Sequence, residues 1–238
     1  MDTLKTQADS GFHRVVMFAL ELIDAVDGAT VCDGVTVRTR DGDREIERAP
    51  IVNRSGCFVW LQEPGGVWPT TIKVSAGRRP YQSVIAPALD PATIDPARPE
   101  TRRQRIFLCP TQAYDFPPGV TALRGCVFDG AAASAHAVDG ATVQLWWKGI
   151  DGAWTAASYP ATTDRDGAFA VFLRMPASDS FEAEAALRLP IRLRVTVGKE
   201  VLETGDDFPF SDPARPGCVQ EGVIHAAPVR LNLWTLRI

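Results

Sequence analysis

Histidine is scarce in this chain. Three occur in 238 residues, His13, His136 and His225, and no two are close in sequence. Most catalytic zinc and non-haem iron centres are built on clustered histidines, so the spacing argues against such a centre. No Cys-x-x-Cys, P-loop, nucleophile elbow or His-Glu-x-x-His is present, which removes the common signatures of redox, nucleotide and hydrolytic chemistry. The 5 cysteines (Cys32, Cys57, Cys109, Cys126 and Cys218) are odd in number and widely spaced. They read as reduced, mostly buried small hydrophobes. Long apolar runs are also missing. The most apolar early stretch, "VVMFALELI" (Val15–Ile23), is too short to span a bilayer and contains Glu21. No basic segment followed by an apolar one opens the chain, so a cleaved secretory signal is not expected and a cytoplasmic location is. With a net charge of −4 and a pI near 5.4, the chain lacks the basic footprint of a nucleic-acid binder.

Turn-forming residues are abundant. There are 19 glycines and 18 prolines, and Asp-Gly recurs at Asp27, Asp33, Asp41, Asp129, Asp139, Asp151 and Asp166. Glycine takes positive φ without steric cost and aspartate bonds nearby backbone, so each pair marks a corner. Strand patterns lie between the corners. In "LPIRLRVTV", Leu189, Ile191, Leu193, Val195 and Val197 share one face, and Arg192, Arg194 and Thr196 share the other. In "ATVQLWW", Val143, Leu145 and Trp147 oppose Thr142, Gln144 and Trp146. "GVTVRTR" sets Val35 and Val37 against Thr36 and Arg38, and "VVMFALELI" alternates less cleanly, with Val16, Phe18, Leu20 and Leu22 as one face. The best helical candidate is "SFEAEAALRL" (180–189).

The chain also repeats itself. "VDGATV" stands at 26–31 and again at 138–143. "NRSGCF" (53–58) matches "DRDGAF" (164–169), "IKVSAG" (72–77) matches "LRVTVG" (193–198), and "DPARP" occurs at 95–99 and 212–216. Each copy closes on a basic-apolar segment, "RIFLCP" (105–110) and "RLNLWTLRI" (230–238). Matches in the same order imply duplication. The second copy differs by an insertion, "GAAASAHA", between Asp129 and Val138, and by a longer connection after Phe172. The expectation is an all-β protein of two tandem antiparallel β-sandwiches, residues 1–112 and 119–238, joined by a proline-containing linker at 113–118.

The second copy carries a family resemblance. "LRGCVFDG", "AVDGATVQLWW" and "TTDRDGAFAVFLRMP" resemble the transthyretin-like or carboxypeptidase-regulatory-like sandwich, through Gly125–Val127, Gly140–Val143 and Thr163–Phe169. The first copy keeps a weaker version, with Asn53 and Ser55 in place of two aspartates. Such sandwiches occur as accessory parts of phage tails and phage-like contractile injection systems. The resemblance therefore implies a non-catalytic structural or assembly component whose partners are other protein subunits. "GATVQLWW…DGAW" is also similar to the intradiol dioxygenases, which share the sandwich and bind ferric iron through two tyrosines and two histidines, one pair spaced His-x-His. This chain has no paired histidines, and its three tyrosines are Tyr81, Tyr114 and Tyr159. No enzyme activity and no cofactor are expected.

Candidate contact residues follow from the pattern. Trp146 lies on the face opposite the core residue Trp147, with Trp154 nearby in sequence. Three roles are open to Trp146: packing under a loop or a neighbouring domain, an interface with another subunit, or stacking on a glycan. Arg102, Arg103 and Arg105 precede the last strand of the first copy, either as charges that blunt a sheet edge or as a docking surface. "DRDG" (164–167) reads as a tight turn rather than a calcium loop, because Gly167 comes fourth and not sixth.

Overall fold

The computed structural model describes residues 15–62, 66–117, 120–129, 136–149, 152–173, 191–204 and 234–237. The described residues form strands and two short 3-10 turns. The candidate helix at 180–189, His13, His225 and the second "DPARP" lie outside them. By compactness the chain divides into two units. Unit 1 holds residues up to Leu22, Thr30–Ser75 and Val84–Ile106; unit 2 holds Ile23–Ala29, Ala76–Ser83 and everything from Phe107 onward.

Two sheets belong mainly to unit 1. One has the order β4 (Ile51–Val52), β5 (Phe58–Leu61), β1 (Val16–Asp24), β8 (Arg103–Leu108). The other runs β3 (Arg44–Ile46), β2 (Thr36–Asp41), β6 (Thr71–Ser75), β7 (Val84–Pro87). Their apolar positions, Phe18, Leu20, Leu22 and Trp60 from the first and Val37, Ile72 and Val74 from the second, are buried. Phe18 stacks on Trp60 with ring centroids 4.5 Å apart. The poor alternation of β1 has a local cause. The register slips between Val16 and Phe18, which pair with Leu61 and Trp60, so Met17 occupies a bulge and is buried out of step.

Unit 2 repeats the plan. Here β9 (Thr121–Asp129) is flanked by β14 (Ala168–Leu173) and by β17 (Trp234–Arg237), with the short β10 (His136–Ala137) also paired to it. The opposing sheet runs β12 (Trp154–Ala156), β11 (Thr142–Lys148), β15 (Ile191–Val197), β16 (Glu200–Glu203), with β13 (Ala161–Thr162) on β11. Leu123, Val127, Val143, Leu145, Phe169, Val171, Ile191, Leu193 and Val195 form one core from both sheets, as the alternation in "ATVQLWW" and "LPIRLRVTV" requires. Trp147 packs against it. β14 is buried along its whole length, which explains its unbroken apolar sequence "AFAVFL". The fold is all-β and its sheets are largely antiparallel; β17 runs parallel to β9, and the contacts of β8 with β1 advance in the same sense along both strands, from Arg102 on the Val16 carbonyl through Arg105 on Glu21 to the Leu108 carbonyl on the Ala25 N–H.

Register aligns the two copies strand by strand. "NRSGCF" and "DRDGAF" make the same turn: Asn53 Oδ1 accepts from the N–H groups of Ser55 and Cys57, and Asp164 Oδ1 accepts from those of Asp166 and Ala168. Phe58 then pairs with Leu20, and Phe169 with Gly125, so Asp24 answers Asp129. Ser75 pairs with Thr36, and its counterpart Thr196 pairs with Thr142. The segment equivalent to the second "VDGATV" is therefore "CDGVTV" (32–37). The letter-identical 26–31 is the bend after β1, and it answers the region read as an insertion in the second copy.

Candidate functional site

The outward face of the β12-β11-β15-β16 sheet carries the tryptophans singled out by the sequence. Trp146 pairs across strands with Arg192, and Gln144 with Arg194. On the other side of β11, Lys148 pairs with Trp154. Alternation puts all of these on the solvent side, and pairing brings them together. The Arg192 guanidinium lies 4.0 Å from the Trp154 ring centroid, and the Arg194 guanidinium lies 4.8 Å from that of Trp146. Lys148 Nζ is 6.0 Å from the Trp154 ring. Each such contact contributes about 0.5–2 kcal/mol, more as water is excluded. Arg194 also pairs with Glu203 of β16. The result is a ladder of alternating indole and guanidinium groups, fixed on rigid strands.

A cleft of about 160 Å³ opens in this ladder, lined by Trp146, Trp154, Arg192, Leu193, Arg194 and Glu203. The Trp146 Nε1 atom is buried, and no acceptor reaches it among the described residues. Leaving a buried donor unsatisfied costs about 1–3 kcal/mol. Both indole rings already carry a guanidinium on one face, which limits their use as platforms for a sugar.

The arginines of the first copy lie elsewhere, in unit 1. Arg102 Nη1 donates to the Val16 carbonyl at 2.8 Å, and Arg105 Nε donates to Glu21 at 2.9 Å. Arg103 lies 3.8 Å from the same Glu21 carboxylate. Arg103 and Arg105 sit on β8, the edge of its sheet, and Arg102 ends the 3-10 turn just before it; all three are held to the adjacent strand β1. They belong to unit 1, and Trp146 and Trp154 belong to unit 2.

A second polar cluster, missed by sequence reasoning, lies in unit 2. Asp24 is 3% exposed. Its Oδ2 accepts from the Tyr81 hydroxyl at 2.8 Å and from the Tyr114 hydroxyl at 2.6 Å, and its Oδ1 accepts from the Val26 N–H at 2.7 Å. Ala25, Val26, Tyr114, Ala122 and Phe172 form the surrounding apolar cluster. Burial first, and then the bond to Asp24, pushes both phenol pKa values well above their usual 10.0. Arg124 braces the cluster, with its guanidinium on the Tyr114 carbonyl and 5.2 Å from the Phe116 ring. Phe116 and Tyr114, both expected in the proline-containing linker, are packed aromatics whose centroids lie 4.9 Å apart. Nearby, the Gln82 amide bonds both the N–H and the carbonyl of Thr162 on β13, at 3.1 and 3.2 Å.

This cluster does not fit an intradiol-type iron centre. Two of the three tyrosines converge, yet as neutral donors to a carboxylate, whereas an iron ligand must be a phenolate. Among the described residues, no group of three or more His, Cys, Asp and Glu side chains is placed to hold a metal ion, and His136 is exposed on β10. No described helix is long and apolar enough to cross a membrane.

No family model matches the chain, the carboxypeptidase-regulatory-like sandwich included, and no curated protein matches it. Three solved structures are similar at low level. A Streptococcal ancillary pilin is 12% identical with a TM-score of 0.25, over 86% of this chain and 61% of its own. The Bacillus anthracis TIE protein is 8% identical with a TM-score of 0.26, over 93% of this chain and 33% of its own. A minor pilin of Streptococcus agalactiae is 10% identical with a TM-score of 0.22, over 93% and 94%. The chain thus spans about three-fifths of the ancillary pilin and a third of the TIE protein. Likenesses this distant assign no family, and the fold stands on the chain's own strands and registers.

Proposed function

We propose that this protein is a non-catalytic assembly component that acts through protein–protein contacts, as a subunit of a phage-tail-like or other large particle put together in the cytoplasm. The observation that carries the proposal is the Trp146–Trp154–Arg192–Arg194 ladder on a solvent-facing sheet surface. Tryptophan and arginine are the residues most enriched among those that dominate binding energy at protein interfaces. Here they are already ordered by strand pairing and mutual stacking, so little side-chain entropy is lost on docking. The buried ionisable cluster at Asp24 has a structural use, which also favours a building block over an enzyme.

Size-exclusion of native lysate, with the protein detected by antibody, tests this. The expected result is elution with partners at high mass, and loss of that complex on Trp146→Ala together with Arg192→Ala. A lone monomer in native lysate overturns the proposal. Fractionation of the same cells tests the cytoplasmic assembly.

A further inference from the structure

We infer that the outward face of the β4-β5-β1 sheet in unit 1 receives a segment of a partner protein that carries aromatic residues beside proline. This adds a second docking face to the assembly function proposed above, in the unit that lacks the tryptophan ladder. Unit 2 shows what covers the same face in the other copy. There Leu123, Val171 and Leu173 fill the core, so Ala122, Ala170 and Phe172 point outward from β9 and β14. They are buried all the same, with exposures of 7, 1 and 4%. Part of the cover is the chain between β8 and β9. Tyr114 belongs to one apolar cluster with Ala122 and Phe172, Phe116 and Val120 pack against that cluster, and the Phe116 ring centroid lies 6.2 Å from that of Phe172. Pro110 and Pro117 flank these rings in sequence. Proline has no N–H to strand, which suits a segment that crosses an apolar face without joining the sheet.

Unit 1 leaves the corresponding face open. Val16 opposes Leu61 where Ala122 opposes Phe172, and Ala19 opposes Val59 where Arg124 opposes Ala170. β4 extends the row, since Ile51 opposes Val59. Val16 is 37% exposed and Ile51 55% exposed, and Ala19, Val59 and Leu61 are half-buried. These apolar side chains lie on adjacent strands and form one patch. Toward β8 the patch ends at Glu21, which holds Arg103 and Arg105. An apolar centre with a polar rim is the anatomy of a protein interface, and contiguous apolar surface marks a docking site on a folded protein. Leu61 stands where Phe172 receives the Phe116 ring, so a ring from a partner has an aliphatic seat of the same register.

The test is a fluorescence-anisotropy titration of the labelled peptide PTQAYDFPP, the sequence of residues 110–118, with the full chain. Unit 2 already carries this segment, so the peptide reports on the open face of unit 1. Saturable binding is expected, weakened at least about tenfold when serine replaces both aromatics of the peptide, and equally by Leu61→Ser together with Ile51→Ser. Ile51→Ser alone, on the edge strand, weakens it about threefold and serves where the double variant does not fold. Ile85→Ser, at an exposed position on the other sheet of unit 1, leaves binding unchanged. Near-ultraviolet circular dichroism confirms that each variant is folded. No binding, equal binding of the serine peptide, or no effect of the substitutions in folded variants overturns the inference. A dimer that excludes the peptide and is dissolved by Leu61→Ser gives the face to a second copy. Binding seen only after removal of residues 1–14 gives it to the chain's own first residues. Either result also overturns the inference. The high-mass complex is read separately, through Trp146 and Arg192: its absence sinks the assembly function, and failure of the peptide sinks this second face alone.

Discussion

Replacing Asp24 with alanine strands three donors at once. The Val26 N–H, at 2.7 Å, and the Tyr114 hydroxyl, at 2.6 Å, belong to residues that are 1% and 7% exposed, so water does not replace the lost acceptor. The Tyr81 hydroxyl, at 2.8 Å, belongs to a half-buried residue and recovers part of its bond from solvent. Each buried donor left unsatisfied costs about 1–3 kcal/mol, which gives about 2–6 kcal/mol for Asp24→Ala with the solvent-compensated tyrosine left out. Tyr114→Phe removes one charge-assisted bond without stranding its donor and costs about 1.5–3 kcal/mol, and Tyr81→Phe costs less. The expected order is Asp24→Ala, then Tyr114→Phe, then Tyr81→Phe. Urea unfolding at neutral pH, followed by tryptophan fluorescence and circular dichroism, reads it. An Asp24→Ala variant within about 0.5 kcal/mol of wild type refutes the reasoning, since that is the range of an indifferent surface substitution. So does a Tyr81→Phe that costs more than Tyr114→Phe.

The same cluster makes stability fall in alkali. Tyr81 and Tyr114 have pKa values raised by burial and by Asp24, so below pH 10 they are neutral whether folded or not and their bonds are intact. Above about pH 10 the unfolded chain releases these protons first, and the melting temperature should drop more steeply in wild type than in the Tyr81→Phe, Tyr114→Phe double variant. Two glycines of equal backbone strain should differ in cost. Gly140 (φ 75°) has open space around it, whereas a Cβ on Gly167 (φ 72°) would meet the Val127 carbonyl oxygen at 2.4 Å. Gly140→Ala is expected to cost about 1–2 kcal/mol and Gly167→Ala clearly more in thermal melts, because the clash is with backbone. Thiol mapping with iodoacetamide at pH 8 should modify exposed Cys32 well before Cys109, whose thiol burial pushes up to about 11.

Much of the scaffold could be read from residue patterns. Alternation placed Val143, Leu145, Trp147, Leu193 and Val195 inward and Trp146, Arg192 and Arg194 outward, because a pleat has a fixed period. What it could not supply was pairing. That Arg192 lies opposite Trp146 depends on β15 joining β11, and the long chain segment between them gives no local signal of it. Repetition was informative and also misleading. "VDGATV" signals duplication, yet its two occurrences are not equivalent positions, since Asp-Gly followed by small and β-branched residues suits any corner that leads into extended chain. The Asp24 cluster was invisible for a plainer reason. Tyr81 and Tyr114 lie 57 and 90 residues from Asp24 in sequence, and no short motif joins them. In β1 the alternation of Phe18, Leu20 and Leu22 marked the buried face, and the bulge at Met17 is what leaves Val16, assigned to the same face, exposed.

Gln82 spans the backbone of Thr162 as a neighbouring strand would, and Asp24 anchors Tyr114 from within residues 23–29. Both come from the first copy's sequence and both are part of unit 2. The gene repeat and the folding unit therefore have different borders. A fragment cut at residue 119, where duplication invites the scissors, would contain every strand of the second sandwich and still lack pieces that complete it. Its bare β13 edge and unmasked Phe172 would favour precipitation. A fragment that folds by itself has to be drawn along the unit's contacts, with residues 23–29 and 76–83 supplied in trans or spliced in cis.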